Sequence, residues 1–169
     1  MKVILIADLS ANGKVLLAEN PQHPVPPEAI GFYVQKTIET GNLILGKKAF
    51  DVFEQFLGGV KTNFPNVEIV LLSTTETTIA DFKVVSNPEE ALQYLTAKGF
   101  NEIVVGGGTN TYNSFLNKDL VTDIYFNIVP IITGVGGVLG TNNELTTTFK
   151  LAGHKLLGEE NIQIHLTKA

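Results

Sequence analysis

Three consecutive glycines, Gly106, Gly107 and Gly108, follow the β-branched run Ile103, Val104 and Val105 and precede a segment carrying Tyr112, Phe115 and Leu116. The apolar run predicts a short strand buried on both faces. Thr109 or Asn110 is placed to cap the helix that follows. Strand, glycine turn and helix start together make a cradle for an anion. Backbone without Cβ atoms lets a phosphate come close, and the helix start offers free N–H groups and a partial positive charge. A tight turn with no ligand is the alternative, but three glycines exceed what a turn needs.

Two further clusters have the same layout of strand, small or basic residue, then helix or turn. They are Gly46, Lys47 and Lys48, and Ser73 with Thr74. In a parallel sheet the carboxyl ends of the strands share one edge, so the three clusters can converge on a ligand with several phosphates. Two familiar phosphate motifs do not account for them. Thr111 stands where a G-x-G-x-x-G fingerprint needs its last glycine. Residues 41–47 match the start of a P-loop, but Lys48 replaces the magnesium-binding hydroxyl and residues 42–45 read as a buried strand. His23, His154 and His165 read as lying in a loop, a turn and an edge-like strand, without metal-ligand spacing. No metal site is expected.

The elements that must position these groups follow from periodicity. Residues 2–7 read as a buried strand ending in a turn cluster of Asp8, Ser10, Asn12 and Gly13. Residues 10–27 hold four prolines and no clear period, as a lid or binding loop would. Proline ahead of Glu28 predicts a helix start and Gly41 its stop, with Ile30, Val34 and Ile38 as an apolar stripe. Strands are expected at residues 43–45, 67–72 and 82–85, with a helix carrying Phe50, Phe53 and Phe56 after Lys48. Asn87 and Pro88 then predict a capped helix ending near Gly99. From Asp123 only strands follow, at residues 123–132, 146–151 and 162–166, so some must pair antiparallel.

Composition limits the partners. The 169 residues suit one domain, residues 1–169, and 44% hydrophobic with 17% charged residues describes a globular chain with an ample core. No run reaches the length of a membrane span and no signal-peptide pattern opens the chain, so a cytoplasmic protein is expected. The formal net charge of −5 and the lack of a basic tract argue against nucleic acid. Cysteine is absent, which excludes thiol catalysis. All basic residues are lysines, so no bidentate arginine fork can exist. The apolar residues 124–132 exceed what a solvent-facing edge tolerates and suggest a homodimer.

The sequence resembles the dihydrofolate-reductase-like superfamily, most closely the branch containing the reductase domain of the riboflavin-pathway deaminase–reductase. The pieces that carry the resemblance are the first strand with Ser10, Asn12 and Gly13; NLILGKKAFDVF; IVLLST; VVGGGTNTYNSFL; and LVTDIYFNIVPIITGVGG. It implies an α/β protein, a three-layer α/β/α sandwich whose mixed sheet is mainly parallel with antiparallel C-terminal strands. It implies NADPH as cofactor and hydride transfer to a pyrimidine- or pterin-type small molecule. The implied reaction resembles 5-amino-6-(5-phosphoribosylamino)uracil reduction. By this resemblance Lys47, Lys48, Ser73 and Thr74, beside Gly46, face the adenosine 2′-phosphate. Gly107, Gly108, Asn110 and Thr111 face the pyrophosphate, and Ala7, Asn12 and Gly13 border the nicotinamide. Glu28 lies near the position of the proton-relaying carboxylate of folate reducers, although a carboxylate also stabilises a helix start. Ala49 replaces a phosphate-contacting Thr of the folate reducers, and their lid tryptophan is missing. Dihydrofolate reduction and a non-catalytic nucleotide-binding module are the alternatives. The missing arginine, which grips the folate tail in folate reducers, speaks against the first.

Overall fold

The structure is a computed structural model that describes residues 1–16 and 24–169. His23 and the middle of the expected lid, residues 17–23, lie outside the described residues. Eight strands form one sheet in the order β4-β3-β2-β5-β1-β6-β8-β7. β1 (Lys2–Ser10), β2 (Asn42–Gly46), β3 (Glu68–Leu72), β4 (Lys83–Val85), β5 (Glu102–Val105) and β6 (Asp123–Val129) pair in parallel. β7 (Phe149–Leu157) and β8 (Asn161–Lys168) run antiparallel beside β6. The mixed sheet with an antiparallel C-terminal end is the one expected.

Strand alternation builds the three layers. Val3, Leu5 and Ala7 face one side, where they pack with Leu92 and Leu95 of α4 (Pro88–Ala97) and Phe115 of α5 (Thr109–Leu116). Ile4 and Ile6 face the other, with Phe50 of α2 (Lys47–Phe56) and Phe64 beside the short α3 (Val60–Asn63). Phe32 and Tyr33 of α1 (Pro27–Thr40) join that second layer. β1, β2 and β5 lie inside the sheet with helices on both sides. Their unbroken apolar runs are the consequence.

Helix boundaries follow local chemistry. Asn87 accepts a 3.0 Å hydrogen bond from the Glu90 N–H, and Glu90 reaches back to accept from the Ser86 N–H at 2.9 Å. With Pro88 in the first turn, α4 starts on two satisfied backbone donors. Gly41 ends α1 in the left-handed conformation at φ +76°, and its N–H bonds to the Thr37 carbonyl.

Several expectations are corrected. Neither Thr109 nor Asn110 caps α5: Gly108 occupies that position, with no side-chain cap. Asp8 and Ser10 belong to β1, not to a turn. β6 stops at Val129, because Pro130 offers no N–H to the ladder. β7 begins at Phe149 and runs through Gly153 and His154, so His154 lies in a strand; an irregularity between Leu151 and Gly153 shifts the register. β6 lies between β1 and β8 and is not an edge; the edge strand at this end of the sheet is β7, where Leu151 and Leu156 are exposed. On α1, Ile30 and Ile38 face outward, while the fully buried positions are Ala29 and Thr37. No described helix is long and apolar enough to cross a membrane.

Candidate active site

In the sheet, β3, β2, β5 and β1 are consecutive neighbours and parallel. Their carboxyl ends therefore set Ser73, Gly46 with Lys47, the three glycines and the Ser10 loop in a row along one edge. The central pair is in direct contact. The Gly46 N–H donates to the Gly107 carbonyl at 2.7 Å, and the Gly106 N–H donates to the Ile44 carbonyl at 2.9 Å.

The three glycines differ in what fixes them. A Cβ on Gly106 would run into the Tyr33 hydroxyl. Gly107 has φ +102°, and its Cβ would stand 2.7 Å from the Tyr112 hydroxyl oxygen. At these two positions packing inside the protein by itself requires glycine. Gly108 has open space within 4 Å of its missing Cβ and sits at the start of α5. Gly46, across the gap, is held to glycine by Thr111 Oγ1.

The remaining expected residues fall into two groups. Lys47 Nζ contacts Asp51 one turn along α2, 2.7 Å from Oδ2, whereas Lys48 is exposed and takes part in none of the ion pairs among the described residues. Ser73 is buried and closes its own turn, its hydroxyl donating to the Thr75 carbonyl at 2.9 Å; Thr74 is exposed. Asn110 is exposed in the first turn of α5, while Thr111 is buried against Gly46. Asn12 ties two loops together. Its Oδ1 accepts from the Ser10 hydroxyl at 2.7 Å and its Nδ2 donates to the Thr133 carbonyl at 2.9 Å. Gly13, at φ +79°, lets this loop turn, and Ala7 is buried toward the α4–α5 layer. Glu28 is exposed in the first turn of α1 and packs against Gly158 in the β7–β8 turn.

Below the edge, between α1 and α2, lies a cleft of about 270 Å³ with Gly106, Gly108, Tyr33 and Asp8 in its lining. Glu28 is not among the lining residues. Asp8 Oδ1 accepts a 2.8 Å hydrogen bond from Asn127 Nδ2, and Asn127 Oδ1 accepts one of 2.8 Å from Gln163 Nε2. Asn127 and Gln163 are buried at 0% and 4% exposure, so this is a polar chain crossing β1, β6 and β8 inside the sheet's covered face. Burial pushes the Asp8 carboxyl up to about 6, and the Asn127 hydrogen bond offsets part of that rise. Burial likewise raises the Tyr33 and Tyr112 phenols, so both stay neutral and donate to backbone, Tyr33 to Gly106 at 3.3 Å and Tyr112 to Ile6 at 2.6 Å.

Asp8 is the functional candidate that motif reading misses. Its signal is nevertheless present. Ile4, Ile6 and Asp8 alternate on one face of β1, so the third position puts a carboxyl where a core side chain is expected.

Known proteins locate this architecture. Two solved structures share the whole fold. One is a protein provisionally assigned to riboflavin biosynthesis in Shewanella sp. PV-4, with TM-score 0.75 and 21% identity, covering 100% of this chain and 99% of that one. The other is a pyrimidine reductase-like protein from Corynebacterium diphtheriae, with TM-score 0.73 and 14% identity, covering 99% and 92%. No curated protein sequence matches the chain significantly. The family model described as RibD C-terminal domain matches residues 60–163, a span from α3 through β5, the glycine turn and α5 into β8. Because that match takes in more than half of the sequence, including the glycine turn and the Asn127–Gln163 pair, the chain belongs to the RibD C-terminal domain family.

Proposed function

We propose that the chain is an NADPH-dependent reductase that transfers a hydride to a pyrimidine- or pterin-type small molecule. The observation that carries the reading is the meeting of two features at one edge: open space at Gly108 on the start of α5, and the cleft beside Asp8. Membership of the RibD C-terminal domain family and the likeness to a pyrimidine reductase-like fold support it.

The residues present fit a phosphorylated dinucleotide. The first N–H groups of α5 have no acceptor within the helix, and at Gly108 no side chain separates them from a phosphate. Lys48, and Lys47 when released from Asp51, would hold the adenosine 2′-phosphate beside Ser73 and Thr74. The Asn12–Thr133 bonds fix the loop that would border the nicotinamide.

When bound, the dihydronicotinamide supplies the hydride, which adds to the carbon of a substrate C=N bond while the nitrogen takes a proton. Asp8 is the group that lines the cleft and can hold that proton near neutral pH, because its acidity is shifted toward the working range. The apolar walls exclude water and place the ring. Glu28, solvent-exposed beside Gly158, is the competing proton source.

The test is NADPH oxidation with phosphoribosylaminopyrimidinone and pterin acceptors, for wild type, Asp8→Asn and Glu28→Gln. Loss of one positioned acid is worth about 10²- to 10⁴-fold, so turnover collapses in Asp8→Asn and persists in Glu28→Gln. The opposite pattern assigns the proton to Glu28.

A homodimer belongs to the same reading. The edge strand β7, with Leu151 and Leu156 exposed, is the surface that a second copy would cover. Sedimentation should give twice the chain mass; a monomer at all concentrations rejects it.

A further inference from the structure

One row of side chains runs across four strands of the sheet. Register sets Asp8 beside Asn127, Asn127 beside Gln163, and Gln163 beside Lys155, on β1, β6, β8 and β7 in turn. The first three are bonded to one another. Asn127 Nδ2 donates to Asp8 Oδ1, and Gln163 Nε2 donates to Asn127 Oδ1, each at 2.8 Å. The Lys155 ammonium lies instead over the Phe32 ring, 5.4 Å from its centroid.

The direction of these bonds follows from the groups themselves. An ionised carboxylate only accepts, so Asn127 must turn its amino side to Asp8 and its carbonyl oxygen away. That oxygen then needs a donor, and Gln163 supplies it. Asn127 and Gln163 are buried, so an oxygen left there without its donor is costly. With the donor removed, the amide is free to turn, and its oxygen would meet the Asp8 carboxylate.

We infer that Gln163 is a positioning residue for the Asp8 acid: it fixes the Asn127 amide and, through it, the orientation of the carboxyl that lines the cleft. The use of that acid rests on the reductase reading, whereas its orientation does not. The titratable groups that act on Asp8 from the packed helices are Tyr33 of α1 and Tyr112 of α5, both kept neutral by burial, while α2 presents apolar residues to the cleft. The rest of the chain, residues 17–23 included, is identical in the proteins compared below, so its charges cancel in the comparison.

Carbon-13 NMR of labelled aspartate carboxyls follows the titration of Asp8, whose signal is assigned by its absence from Asp8→Asn. In Gln163→Leu the Asp8 midpoint should rise by about half a pH unit or more, because the donor that favours the charged form is no longer held to it. The Asn127 side-chain amide protons should exchange faster with solvent. With NADPH and a phosphoribosylaminopyrimidinone, kcat should fall about tenfold at unchanged KM for NADPH, with no further loss when Gln163→Leu is added to Asp8→Asn. Gln163→Met repeats the test with an unbranched side chain, and thermal melts verify folding. An unchanged Asp8 midpoint with unchanged Asn127 amide exchange in a folded variant overturns the inference. Loss of folding in both variants also overturns it, by making Gln163 a packing residue. Absent turnover by wild type removes the reductase reading and leaves the titration to decide the role of Gln163.

Discussion

The Asn127 amide donates to the Asp8 carboxylate at 2.8 Å from the strand next door, and β1 and β6 are registered so that these two residues sit side by side. Asn127 cannot turn its amide round without losing Gln163, so the carboxyl is anchored by a partner that is itself anchored. The acid thus held lines a cleft whose other side chains are mostly apolar.

The same burial has a cost in stability that pH should reveal. The folded Asp8 carboxyl titrates at about 6, above its ordinary value of 3.8. Between those values the unfolded chain releases its proton while the folded chain keeps it, so stability falls as pH rises through that window. A shift of about two units corresponds to up to about 3 kcal/mol. Asp8→Asn keeps an acceptor for Asn127 and removes the buried charge. It should melt several degrees higher than wild type at pH 7.5 and equal to it near pH 3.5. An equal melting temperature at both pH values would show that the carboxyl is not buried as described.

The glycine triplet separates structural from ligand-facing positions. Gly107→Ala must place a side chain at φ +102° against the Tyr112 hydroxyl and should lower stability by about 1–3 kcal/mol. Gly108→Ala meets open space at φ −74°, so melting should change little while NADPH affinity drops about tenfold. Calorimetry alongside thermal melts reads both. Unchanged NADPH binding in Gly108→Ala would move the phosphate site away from α5.

Cofactor choice should depend on the lysines unequally. Lys48 is exposed and outside the ion pairs described, whereas Lys47 must leave Asp51 to reach a phosphate. A charge-assisted contact is worth about 1.5–3 kcal/mol, and exposure reduces it. Lys48→Ala should narrow the NADPH-over-NADH preference more than Lys47→Ala, and Asp51→Asn should widen it. Equal affinities of wild type for the two cofactors would remove this assignment.

The α4 cap gives a prediction independent of function. Asn87→Ala leaves the Glu90 N–H without its acceptor and should cost about 1 kcal/mol, roughly 2–4 °C in melting temperature for a domain of this size. A scanning melt that shows no change would mean that the cap contributes nothing to α4.

Most of the fold was legible because its signals are local. Asn87 with Pro88, Gly41, and the β-branched runs of β2 and β5 each announce themselves within a few residues. The roles of single site residues were less legible because they depend on partners far along the chain. That Gly106 and Gly107 are also held to glycine by Tyr33 and Tyr112 cannot be seen from the triplet itself. The tie between the Asn12 amide and Thr133 spans loops far apart in the chain and leaves no local signal. Asp8 looks like a turn residue until Asn127 and the cleft show what the strand alternation implied. Residues 124–129 read as an edge because nothing in their sequence reveals that β8 pairs along the strand's second side.

Hydride transfer is tested most directly with NADPH deuterated at C4 of the dihydronicotinamide, incubated with wild-type protein and a phosphoribosylaminopyrimidinone or a pterin acceptor. Mass spectrometry of the reduced product should show one deuterium carried over, with the transfer lost in Asp8→Asn. Bound NADPH that passes no deuterium to any such acceptor would contradict hydride transfer and leave a nucleotide-binding module in its place.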